Sequence, residues 1–205
     1  MKARRVAVAL IAMPVIACAS SKATINSFTD PSYSAQDVGS IAVLPIRNAR
    51  LAPSGAQAVT RRVSQAIHRE APKVRLMGPT ESVQALNDHD LAHDWATFVE
   101  DYVKSGVPDA EALGRIGKAL NVDALVQGEL LNVQQEDGEF GGNKGQTRVT
   151  VRFTMLGTRD GTLLWEASSD GIKKTATTLS DAPAIIEAVN LAVNKILENL
   201  PPLED

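Results

Sequence analysis

Residues 147–158 alternate without a break. Val149, Val151, Phe153 and Met155 fall on one side, and Arg148, Thr150, Arg152 and Thr154 on the other. Successive side chains of a strand point to opposite faces, so this pattern describes a β-strand with one covered face and one open face. Asp160-Gly161 predicts a tight turn, and residues 163–170 return as an antiparallel partner with Trp165 in the core. A chain holding this hairpin must bring apolar cover to one side of it only.

The rest of the sequence supplies that cover. Residues 41–45, Ile-Ala-Val-Leu-Pro, form a short apolar run that reads as a buried strand closed by Pro45. Ala56, Val59, Val63 and Ile67 then recur at helical spacing, with Arg61, Arg62, Gln65 and Arg69 opposite and Pro72 as the stop. Residues 74–77 read as a second strand, which makes a βαβ unit with parallel strands. A helical insert follows over 80–120. Thr80 is expected to cap its first helix. Trp95, Phe98, Val99 and Tyr102 form one stripe of its second helix. Pro108-Asp109 opens its third, with Ala112, Leu113, Ile116 and Leu120 buried. Residues 122–133 read as a long strand, apolar first and polar later. Asp181-Ala182-Pro183 starts a last helix carrying Ile185, Ile186, Val189, Val193 and Ile196, ended by Pro201-Pro202. The predicted class is α/β (α+β). It comprises a mixed sheet of about five strands, with a βαβ start, a helical insert, an antiparallel hairpin and a C-terminal helix on the sheet. One domain is expected over 39–205.

The amino terminus carries a separate message. Lys2, Arg4 and Arg5 precede an apolar run, residues 6–17, interrupted only by Pro14. That run is too short for a bilayer core, which needs about 20 apolar residues, and it suits a secretory signal peptide. Its end, Val15-Ile16-Ala17-Cys18, resembles the bacterial lipobox. The resemblance implies cleavage after residue 17, a diacylglycerol on the Cys18 thiol and an N-acyl chain on its new amino group. Residues 18–38, rich in Ser, Thr, Asn and Asp, read as a lipidated tether. Ala19 in place of Asp implies the outer membrane, with the domain facing the periplasm. Cys18 is the one cysteine of the chain, so no internal disulfide supports the fold. Loss of Lys2, Arg4 and Arg5 leaves 18 basic against 24 acidic residues, a net charge of −6. That balance argues against nucleic acid as a partner.

Ile41 to Pro45, the Asp123-Ala124-Leu125-Val126-Gln127-Gly128-Glu129-Leu130 run and Gly161-Thr162-Leu163-Leu164-Trp165-Glu166 together resemble a group of exported lipoproteins. The group comprises the curli-assembly lipoproteins, the lipoprotein activators of penicillin-binding proteins and the amino-terminal domain of the Tol-system propeller protein. The resemblance spans roughly residues 39–200. It implies an envelope docking, assembly or regulatory factor with protein partners and no catalysis. Curli-type relatives form rings and others are monomers, which leaves a homo-oligomer open. A pore is disfavoured because the connection over 134–146 is short, charged and Gly-rich, whereas a lipid-facing strand needs about 10 alternating positions.

Catalytic motifs are not found, and no cofactor beyond the covalent lipid is expected. His89 and His93 stand four apart and would share a helix face, a spacing that can bind zinc. They lack the glutamate of a hydrolytic zinc motif, and capping by Asp88 or Asp90 is the expected use of this segment. The alternative to docking is an envelope small-ligand or metal-binding protein, or an enzyme, with its site at residues 88–94. The candidate partner contacts are Phe140, at a Gly-rich tip, and the Arg148/Arg152 row.

Overall fold

A computed structural model describes residues 20–204. Cys18 and the segment expected to be a signal peptide lie outside the described residues. The six strands are β1 (Ser21–Thr29), β2 (Ser40–Val43), β3 (Arg75–Met77), β4 (Ala124–Glu136), β5 (Gln146–Gly157) and β6 (Leu163–Lys174). They form one sheet in the order β1-β6-β5-β4-β2-β3. β2 runs parallel to β3 and β4, as the βαβ reading requires, and every other pairing is antiparallel. Five α-helices flank it: α1 (Pro53–Glu70), α2 (Pro79–Asp88), α3 (Ala92–Ser105), α4 (Ala110–Leu120) and α5 (Ile185–Leu197).

The helices divide between the two faces, and the strand alternation decides which side chains meet which helix. Ile41 and Val43 of β2, Ala124 and Val126 of β4, Val149, Val151, Phe153 and Met155 of β5, and Trp165 of β6 pack in one core with α1 and α5. Ala42, Leu44, Leu125 and Leu156 point the other way and meet α2, α3 and α4 in a second core. This second set covers β2, β3 and the adjoining ends of β4, β5 and β6, at Leu125, Leu156 and Leu163, and leaves the rest of that face open. The β5 alternation predicted from sequence is realised over residues 148–153, where Val149, Val151 and Phe153 are sealed, Arg148 is exposed and Thr150 and Arg152 are half-buried; Thr154, expected on the open row, is buried at 4% exposure.

Two glycines mark where layers touch. A Cβ on Gly171 of β6 would stand 3.0 Å from the Ala192 nitrogen and overlap the Ala188 carbonyl oxygen of α5. A Cβ on Gly117 of α4 would overlap the Thr158 side chain. Gly161, at φ +73°, takes the left-handed turn between β5 and β6, and the Asp160 Oδ1 accepts from the Thr162 backbone nitrogen at 3.0 Å. That hydrogen bond holds the Asp160 carboxyl below its ordinary range.

Several expectations need correction. Ser21–Thr29, expected to be tether, pairs along its whole length with β6 and makes the sheet six-stranded. Only Ala23 and Ile25 of this strand are partly buried, so its stability rests on backbone pairing, which needs little apolar sequence. Thr80 is not a cap. α2 opens with Pro79 after Gly78, and no side chain caps it. α4 opens after Pro108-Asp109 as expected, and Asp109 caps it, its side chain accepting from the Glu111 and Ala112 nitrogens.

Candidate interaction surface

The register places Glu129 of β4 opposite Arg152 of β5, and Thr154 opposite Glu166 of β6. These residues lie on the face that α1 and α5 leave open. Arg47, in the β2–α1 connection, joins them through a backbone bridge to Glu129. The side chains form a chain of charge across three strands. Glu129 Oε1 accepts from Arg47 Nε at 3.0 Å, Glu129 Oε2 from Arg152 Nη2 at 2.9 Å. Arg152 Nη1 reaches Glu166 Oε2 at 3.8 Å. The Glu129 side chain is only 11% exposed and Arg152 26%, so removing one partner of this network costs more than breaking a surface ion pair. Each Glu129 oxygen has its own guanidinium, which satisfies a carboxylate that the strand holds among buried neighbours.

α3 walls one end of the cluster. Trp95, Phe98 and Tyr102 stack in succession, with ring centres 5.4 and 5.9 Å apart. Tyr102 comes to rest beside Arg152 and Glu129. Burial first, and then the Glu166 carboxylate, push the Tyr102 phenol above its ordinary value. The space between helix and sheet is about 20 Å³, room for about one water and nothing larger. Beyond the cluster the face is polar and accessible. Thr150 donates to Asp170 Oδ1 at 2.7 Å across β5–β6, Arg148 is exposed, and Leu131 and Phe28 stand 45% and 48% exposed at its two sides. Leu131 is the extra residue of a bulge in the β4–β5 ladder.

The structure separates the residues singled out from sequence. Arg148 and Arg152 share the open face, and Arg152 is engaged by two carboxylates. Phe140 lies elsewhere, 87% exposed in the 137–145 connection between β4 and β5. His89 and His93 do not share a helix. His89 ends α2, Asp90 takes a left-handed φ of 55°, and α3 begins at Ala92. Both histidines are exposed, and Leu91, not Asp88 or Asp90, is the N-cap of α3. Among the described residues no group of three His, Cys, Asp or Glu is placed to hold a metal. No helix of the described residues is long and apolar enough to cross a membrane. Cys18 lies outside the described residues. Sequence reasoning missed Arg47, Glu129 and Glu166. Glu129 carried a signal, being an ionisable residue inside the apolar stretch of a strand.

Two larger grooves lie away from this face. One, about 440 Å³, runs between the starts of α1 and α2 past Thr60, Arg61 and Val83. The other, about 280 Å³, lies by Asp37, Asp123 and Asp160.

No protein-family profile matches the sequence, and no curated protein matches it. Solved structures show distant likenesses. The PelC dodecamer from Paraburkholderia phytofirmans is 14% identical, with 89% of this chain and 97% of that one covered and a TM-score of 0.49. Lipoprotein GNA1162 from Neisseria meningitidis is 14% identical over 79% of this chain and 99% of its own, at 0.42. The LpoB C-terminal domain from Salmonella enterica is 11% identical over 69% and 86%, at 0.40. At these scores the likenesses carry no argument about function.

Proposed function

We propose that this chain is a lipid-anchored, non-catalytic docking or assembly factor of the bacterial cell envelope. In this reading Cys18 carries the lipid, the outer membrane is the anchoring surface, and the domain faces the periplasm. The observation that supports docking is the open sheet face. It is broad, polar and organised by the Arg47–Glu129–Arg152–Glu166 network, and the helices α1 and α5 are packed on the opposite side. A buried ion network sets side-chain positions at a recognition surface without conferring reactivity. The surface suits an envelope protein with its own mixed charges.

Photocrosslinking in living cells tests this. A crosslinking side chain at Arg148 or Asn132, both exposed on the open face, is expected to give one discrete adduct with an envelope protein. The same probe at Arg62, on the exposed side of α1, is expected to give none. Random adducts with abundant proteins from all three positions would refute docking through this face. The break between α2 and α3 removes the shared helix face on which a metal site at His89 and His93 would rest.

A further inference from the structure

Three segments meet at one end of the sheet. β1 begins there, and the Ser20 carbonyl accepts from the Lys174 nitrogen at 3.0 Å. The 137–145 connection is locked to the loop over 175–184. Thr175 N donates to Gly145 O at 2.9 Å, Gly138 N to Ser180 O at 3.0 Å, and Ala182 N to Asp137 Oδ1 at 2.8 Å. Two large apolar side chains stand out from these interlocked loops: Phe140, 87% exposed, and Leu179, 67% exposed. Folding gains nothing from leaving them in water, and exposed apolar groups gathered at one site mark a contact surface.

Cys18 stands two residues before Ser20. Two residues reach at most about 7 Å between Cα atoms. The long tether expected from sequence is therefore absent as a spacer, because its residues are taken up in β1. Resting on the reading that Cys18 is lipidated, we propose that this end of the domain lies directly on the bilayer. Phe140 and Leu179 enter the boundary between headgroups and acyl chains. Phenylalanine and leucine suit that boundary, and two side chains beside a lipid anchor fix orientation in a way that a single flexible tether does not. The charges here balance, Lys22, Lys144, Lys173 and Lys174 against Glu136, Asp137, Glu139 and Asp181. The contact is apolar in origin and does not need anionic lipid. It also turns the Asp37, Asp123 and Asp160 end of the sheet away from the membrane.

The test uses the full, lipidated chain reconstituted in phosphatidylcholine vesicles. Phe140→Cys, Leu179→Cys and, at the opposite end, Arg159→Cys are each labelled with a polarity-sensitive fluorophore; the lipid blocks the Cys18 sulfur. Labels at 140 and 179 are expected to shift to the blue and to be quenched by brominated acyl chains, while the label at 159 does neither. Water-like emission at 140 and 179 in protein that floats with the vesicles overturns the contact and leaves the anchor reading intact. Mass spectrometry showing an unmodified Cys18 overturns both. Quenching that appears only after anionic lipid is added overturns the apolar origin of the contact.

Discussion

Two glycines of α4, three positions apart, should respond in opposite directions to the same substitution. Gly114 has room: a Cβ there meets its nearest neighbour, the Thr158 carbonyl oxygen, at 3.6 Å, an ordinary contact. In a helix interior Ala is favoured over Gly by about 0.8–1.0 kcal/mol, so Gly114→Ala should stabilise by close to that amount. Gly117 has none. Its Cβ would overlap Thr158 Cβ and stand 2.5 Å from Oγ1 and 2.7 Å from Cγ2. Thr158 cannot rotate away cheaply, because its hydroxyl donates to the Val122 carbonyl oxygen at 2.7 Å and also reaches that of Asp123 at 3.1 Å. Overpacking costs about 1–3 kcal/mol. With three atoms in conflict the upper end applies, and the helix-propensity gain of about 1 kcal/mol leaves a net loss of about 2 kcal/mol. Urea unfolding followed by circular dichroism, on a chain begun at Ala19, reads both. The two midpoints should move apart on either side of the parent value. If Gly117→Ala left the midpoint unchanged or raised it, α4 would not pack on the β4–β5 end of the sheet as described.

Three further outcomes follow from the structure. Glu129→Gln should lower stability by about 2 kcal/mol, between the values for exposed and fully buried pairs, because it removes the negative charge and one of the two accepting oxygens that serve Arg47 and Arg152; denaturant midpoints measure it. Asp109→Ala removes the side-chain cap of α4 and should cost about 1 kcal/mol, read the same way. Tyr102 has a folded-state pKa above its unfolded value of about 10. The stability this contributes is fully present below pH of about 10 and is lost as pH rises through the folded value. In a Tyr33→Phe chain, phenolate absorbance should therefore appear above that pH, and Glu166→Gln should bring it partly back, since the nearby carboxylate is the second cause of the shift.

What could be read from the sequence depended on how strongly each element is tied to burial. β5, β6, α1 and α5 pack large apolar surfaces, so their periods of two and 3.6 are written in the side chains. β1 is held by backbone bonds on one side, and a strand of that kind can have the composition of a linker; only Ala23 and Ile25 hinted at it. The break between α2 and α3 was legible, with one helix expected to hold residues 82–87 and the next to run over 91–104, but His89 and His93 were still expected to share a helix face. Asp90 adopts a left-handed backbone that asparagine and aspartate tolerate, and this turn between the helices is what parts the two histidines. The ion network was hidden because Arg47, Glu129, Arg152 and Glu166 come together only through register across three strands and a loop.

The edge position of β1 gives the domain a direction-dependent fastening. Its nine residues pair with β6 alone, and any load arriving from the amino-terminal side enters at Ser21. Tension along the strand axis puts the whole ladder in shear, so the bonds share the force and must fail together. Tension across the axis opens the ladder like a zipper, one pair at a time, starting at Ser21 and Lys173. The same strand is thus a firm attachment to a pull in line with the sheet and a weak one to a sideways pull. Each residue released adds about 3.4 Å of slack.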